Sequence, residues 1–151
     1  MTAAVLHLVT PAADPRVGGM ETSVMRIGAH LADAGARVFV YGLHDDDEAA
    51  AQVAPLAPAG VTHVPLGIER RLLADPVDKS GVTSLPFESY QIDYALLIAA
   101  VRRRINEHRA ARHLFISFFV TYAGWVAQRV ADELDIRHIA SVRGSDLTRD
   151  Y

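Results

Sequence analysis

Two short motifs carry the residue types from which a binding or transfer site is built. Val17-Gly18-Gly19-Met20-Glu21 stands between the apolar run Ala4-Val5-Leu6-His7-Leu8-Val9-Thr10 and an amphipathic stretch. A glycine pair that opens a helix lets a phosphate or hydroxyl approach backbone N–H groups with no Cβ in the way. The plainer reading is a turn ahead of a helix. Arg143-Gly144-Ser145-Asp146 follows a second apolar run, Arg137 to Val142. Arginine at a strand end offers a fixed charge and a planar fork of donors. Gly144 permits a tight turn. Asp146 either orients the arginine or, like Ser145, caps the next helix.

Other chemistries lack their residues. There is no cysteine, so thiol nucleophiles, disulfides and thiolate metal sites are excluded. The seven histidines follow no metal-ligand spacing, and no metal is expected. G-x-S-x-G is absent, so a serine triad has no nucleophile elbow. The glycine pair is neither G-x-G-x-x-G nor a P-loop, and the second strand ends at Tyr41-Gly42 instead of an acidic ribose ligand. His44-Asp45-Asp46-Asp47-Glu48 reads as solvated surface. His7 and His113 fall within strands and read as satisfied structural residues; Tyr90, Tyr94 and Trp125 read as core. Arg102-Arg103-Arg104 suits a helix C-terminus and reads as a solvated end, with at most a peripheral contact to anionic lipid.

The elements that must position the two motifs alternate between strand and helix. The pattern predicts strands over Ala4–Thr10, Arg37–Gly42, Val61–Leu66, His113–Phe118 and Arg137–Val142. It predicts helices from about Met20 to Ala34, from about Glu88 to His108, and over Tyr122–Leu134. Gly35 is a C-cap candidate. Gly67 to Pro86, broken by Pro76 and Gly81, reads as an irregular loop at a site entrance. The expected fold is α/β, a doubly wound Rossmann-like parallel sheet with helices on both faces. Ligands of such sheets sit beyond the C-terminal strand ends. The Gly18-Gly19 turn, the residues after Phe118, and Arg143 to Asp146 all converge there.

Composition sets the remaining bounds. The 151 residues suit a single domain. A formal charge of −3 gives no basic field for nucleic acid. The first apolar run is too short for a signal peptide or membrane span, and cysteine-free composition fits a reducing compartment, so a cytoplasmic location is expected.

The motifs in this order carry a resemblance. Val17-Gly18-Gly19-Met20-Glu21, a helix closing at Ala34-Gly35, then Arg37-Val38-Phe39-Val40 and Ser141-Val142-Arg143-Gly144-Ser145-Asp146-Leu147 resemble the N-terminal, acceptor-side domain of retaining nucleotide-sugar glycosyltransferases with the GT-B fold. The resemblance spans nearly the whole chain. It implies a nucleotide-diphosphate-sugar donor, no metal or other cofactor, and a sugar or lipid-linked acceptor. It places Gly18 and Gly19 against the donor diphosphate and sugar. Arg143 falls where the family usually carries a histidine and is the candidate catalytic residue, although arginine does not act as a base. Met20, Glu21, Thr121, Tyr122, Ser145 and Asp146 take acceptor-side or supporting roles. Near the end of the fourth strand, Ser117-Phe118-Phe119 stands where family members often have a histidine. The donor-binding second domain lies outside these residues, as do the last elements of the first domain. The isolated chain is therefore expected to be inactive, and its uncovered apolar surface to favour self-association. The other reading is a stand-alone, flavodoxin-like module that binds a phosphorylated or sugar ligand without chemistry. A Rossmann dehydrogenase ranks behind both for want of its fingerprint.

Overall fold

The computed structural model describes residues 4–11, 19–44, 50–51, 57–67, 70–72, 90–92, 94–118 and 122–142. Along the chain these form β1 (Ala4–Pro11), α1 (Gly19–Asp33), β2 (Arg37–His44), β3 (Val61–Gly67), β4 (Arg70–Leu72), β5 (Tyr90–Ile92), α2 (Ala95–Glu107), β6 (Arg112–Phe118), α3 (Tyr122–Leu134) and β7 (Arg137–Ser141). Five strands make one sheet in the order β3-β2-β1-β6-β7, and every pairing in it is parallel. Counting only these strands, the order is 3-2-1-4-5. That is the dinucleotide-fold order, not the 2-1-3-4-5 of flavodoxin-like proteins. The flavodoxin-like shape expected under the second reading is corrected accordingly.

The central strands are apolar on both faces because helices cover both. Leu6 and Leu8 of β1 and Val38 and Val40 of β2 pack with Val24 and Met25 of α1. On the other face Val5, Val9, Phe39, Tyr41 and Phe115 pack with Leu97 and Val101 of α2 and with Val126 and Val130 of α3. The architecture is α/β and Rossmann-like, as the strand–helix alternation predicts. Tyr94 and Trp125 pack partly buried against the second cluster, with ring centroids 6.3 Å apart and edge to face.

Helix ends follow local rules. Gly35 adopts φ 90°, the Gly35 N–H donates to the Ala32 carbonyl, and the Ala36 N–H donates to the Leu31 carbonyl. This is a Schellman cap, and it confirms Gly35 as the α1 terminator. Helix α3 closes with the same long bond, from the Ile136 N–H to the Ala131 carbonyl, but its left-handed residue is Asp135 at φ 53°. A side chain is strained there. Asp135→Gly is expected to stabilise the fold by about 0.5–1 kcal/mol, read as a higher urea midpoint at unchanged slope.

Three expectations are corrected. The helix expected from Glu88 begins at Ala95, and Tyr90 lies in β5. β5 pairs antiparallel with β4, with Leu72 opposite Tyr90 and Arg70 opposite Ile92, so part of the segment read as an irregular loop is strand. Tyr90 and Ile92 suit a strand as well as a helix. Glu88 itself lies outside the described residues. His44, read with the acidic run as solvated surface, is instead buried at the end of β2.

Candidate functional site

The sheet has its switch point at β1. This strand pairs with β2 on one side and with β6 on the other. The helix after β1 packs on one face of the sheet, and the helix after β6 packs on the opposite face. Connections that diverge in this way leave a crevice at the C-terminal strand ends, which is where ligands of such sheets bind. Gly19 opens α1, the next described element after β1, and Tyr122 opens α3, the next after β6.

Gly19 is exposed, its φ is not left-handed, and a Cβ built on it would meet no atom within 4 Å. Neither packing nor backbone conformation among the described residues therefore requires glycine here. The first N–H groups of a helix have no intrahelical acceptor and carry the positive end of its dipole. The Ser23 hydroxyl donates back to the Gly19 carbonyl at 2.7 Å, tying the first turn together. Glu21, half-buried in that turn, supplies one negative charge to the same end.

Met20 lies in α1 and Tyr122 at the start of α3, both without described side chains. Gly18, Thr121, Arg143, Ser145 and Asp146 lie outside the described residues. The β7 strand that leads to Arg143 pairs with β6, with Ser141 opposite Phe118. The structure thus gathers the elements leading into all three predicted segments at one edge.

Sequence reasoning missed how the strand histidines are connected. His7 is fully buried. Its Nδ1 lies 3.0 Å from the Tyr41 hydroxyl, and its Nε2 lies 3.0 Å from His113 Nδ1. His113 Nε2 lies 3.1 Å from the His108 carbonyl. A carbonyl only accepts, so His113 carries its proton on Nε2. With both rings neutral, one arrangement satisfies every atom. Tyr41 donates to His7, His7 Nε2–H donates to His113, and His113 Nε2–H donates to the backbone. Burial, with neighbouring His113, His108 and Arg104, lowers the His7 pKa to about 3. Burial also raises that of Tyr41 well above the usual phenol range. This chain is structural, as expected of His7 and His113.

A second cluster has the outline of a hydrolytic triad. His138 Nε2 is 2.9 Å from the Ser117 hydroxyl, and His138 Nδ1 is 2.7 Å from Gln128 Oε1. Gln128 Nε2 donates to Asp132 at 2.7 Å. The amide oxygen accepts from Nδ1–H, which leaves Nε2 to accept from the serine. Ser117 has no exposed surface, however, so its hydroxyl cannot meet a substrate. The trio pins α3 to β6 and β7, and burial lowers the His138 pKa.

The arginine run is more than a solvated end. Arg102 pairs with Glu133 of α3 at 3.3 Å. Arg104 pairs with Glu107 at 2.7 Å and lies 4.7 Å from the centroid of the Phe39 ring. Among the described residues no group of three or more potential metal ligands occurs, and no helix is long and apolar enough to cross a membrane. No protein-family model matches the chain, and no curated protein matches its sequence.

Proposed function

We propose that this chain is the acceptor-side domain of a retaining glycosyltransferase that moves a sugar from a nucleotide-diphosphate donor. The observation that carries the reading is Gly19. It is a glycine that neither backbone conformation nor packing among the described residues demands, at a helix start beside the switch point of a 3-2-1-4-5 sheet. The order of the two sequence motifs supports the same reading. On it, Gly18 and Gly19 line the donor diphosphate, and Arg143 holds the transferred sugar or diphosphate as a fixed charge. Ser145 and Asp146 position Arg143, and Thr121 and Tyr122 meet the acceptor. Backbone N–H groups and cations stabilise the departing diphosphate, with no metal required. On this reading the base and ribose pocket belongs to a second domain that faces this one. The reading carries a cytoplasmic location with it.

The test is Gly19→Leu in the protein made from the native gene. Transfer from a nucleotide-diphosphate sugar should fall by at least about tenfold in kcat/KM, or roughly 1.4 kcal/mol. Stability should stay within about 0.5 kcal/mol, because the new side chain meets none of the described residues at its Cβ. Unchanged turnover would remove Gly19 from the site. Donor binding without any turnover would instead select a binding module.

A further inference from the structure

A second recess lies at the opposite edge of the sheet. A groove of about 550 Å³ is lined there by Arg37, Phe39, Thr62, Arg104, Glu107 and His108, among others. Arg37 begins β2, Thr62 follows the first residue of β3, and Arg104 and His108 close α2. Three separate elements therefore meet around it.

The walls are rich in donors. Arg37 is exposed, and its described side-chain contact is one nitrogen against the His108 ring, at 3.0 and 3.3 Å from the two ring nitrogens. Among the described residues no carboxylate lies within ion-pair reach of it. Guanidinium only donates, so the His108 ring accepts from it with one nitrogen. Arg104 is held in place over Phe39, with 18% of its side chain exposed. Thr62 is exposed and adds a hydroxyl. Glu107, the one carboxylate among the described lining residues, is already bonded to Arg104 at 2.7 Å and faces Arg103 at 3.8 Å. Cations at the end of α2 also serve its dipole. That role does not account for Arg37, which comes from a strand.

We infer that this groove binds a small phosphate-bearing molecule, with the phosphate held by Arg37, Arg104, His108 and Thr62. Donors lining the groove from three elements suit a tetrahedral dianion, and guanidinium is a strong partner for phosphate. The volume is within the range of small-molecule sites. The site is separate from the switch-point crevice, so it can be occupied independently of the proposed transfer site.

The experiment is a titration of the isotope-labelled chain with inorganic phosphate, followed by NMR at the Arg37 and His108 side chains and the Thr62 amide. The Gly19 amide reports on the opposite edge. Saturable shifts at the groove with a Kd on the order of 1 mM are expected. Arg37→Gln should weaken them about tenfold and Thr62→Val by less, whereas Gly19→Leu should leave them unchanged. Absence of saturation, or an Arg37→Gln variant that binds phosphate as tightly as the parent, overturns the proposal. A parallel arm sediments the chain with vesicles containing phosphatidic acid. No sedimentation is expected; sedimentation that depends on Arg37 and that free phosphate does not compete away would assign the cations to a membrane instead.

Discussion

His7→Ala is expected to cost the fold about 3–5 kcal/mol, the largest loss from any single substitution argued for this chain. His7 has no exposed surface and lies in β1 at the centre of the sheet. Its ring stacks near Phe39 and Phe115, with centroids 6.0 and 5.4 Å away, so alanine leaves a cavity between them. The change also strips Tyr41 of its acceptor and His113 of its donor. A buried polar group without a partner costs about 1–3 kcal/mol, and the terms do not simply add. Urea unfolding at pH 7.5 measures the loss. His7→Phe separates the two causes, because it refills the volume yet still orphans both partners. Its expected cost is about 2 kcal/mol. A loss below about 1 kcal/mol for His7→Ala would mean that the hydrogen-bond chain is not holding β1, β2 and β6 together.

Acid should destabilise the protein through the same residue. The His7 pKa is lowered from 6.5 to about 3 in the fold. Between those values the unfolded chain binds a proton that the native state refuses. Stability from this group is therefore complete above pH 6.5, falls as pH drops toward 3, and falls no further below that. The slope approaches 1.36 kcal/mol per pH unit, so the full interval is worth up to about 5 kcal/mol. His138, lowered by burial, adds a smaller change of the same sign. About 3 kcal/mol of that loss accrues above pH 4.3 and the rest overlaps carboxylate titration, so the midpoint is expected to fall steadily over this range. Urea midpoints from pH 7.5 down to 4 test it, and His7→Phe should flatten the slope. A parent profile flat over that range would show that His7 takes up its proton without unfolding.

Much of the framework was legible in the sequence. The predicted span Tyr122–Leu134 is the observed α3, and the glycine at position 35 is the observed cap of α1. Both signals are local: an apolar stripe at helical spacing, and a residue that tolerates positive φ. The start of α2 was not legible. Tyr90, Tyr94, Leu97 and Val101 continue a helical stripe, yet Tyr90 pairs with Leu72 in a strand. Periodicity does not register whether a distant segment offers a ladder of hydrogen bonds.

The candidate crevice was legible only as a convergence of segments. The glycine pair marks a helix start, but Gly19 becomes informative once its Cβ direction is known to be open. The groove at the other edge left no sequence signal, because Arg37, Thr62 and His108 belong to separate elements and share no spacing.

By itself, then, the sequence determined the alternation of strand and helix and the burial of β1 and β2 on both faces, along with the cap of α1. It also determined which chemistries lack their residues. Tertiary structure alone decided the strand order, and hence the switch point. It decided too that His7, opposite Phe39 and Phe115 in register, reaches the diagonal neighbours Tyr41 and His113, 34 and 106 residues away. The physical reason is range. Apolar periodicity and capping act within a few turns of the chain, whereas a buried polar group is satisfied only by partners that sheet register and helix packing bring to it.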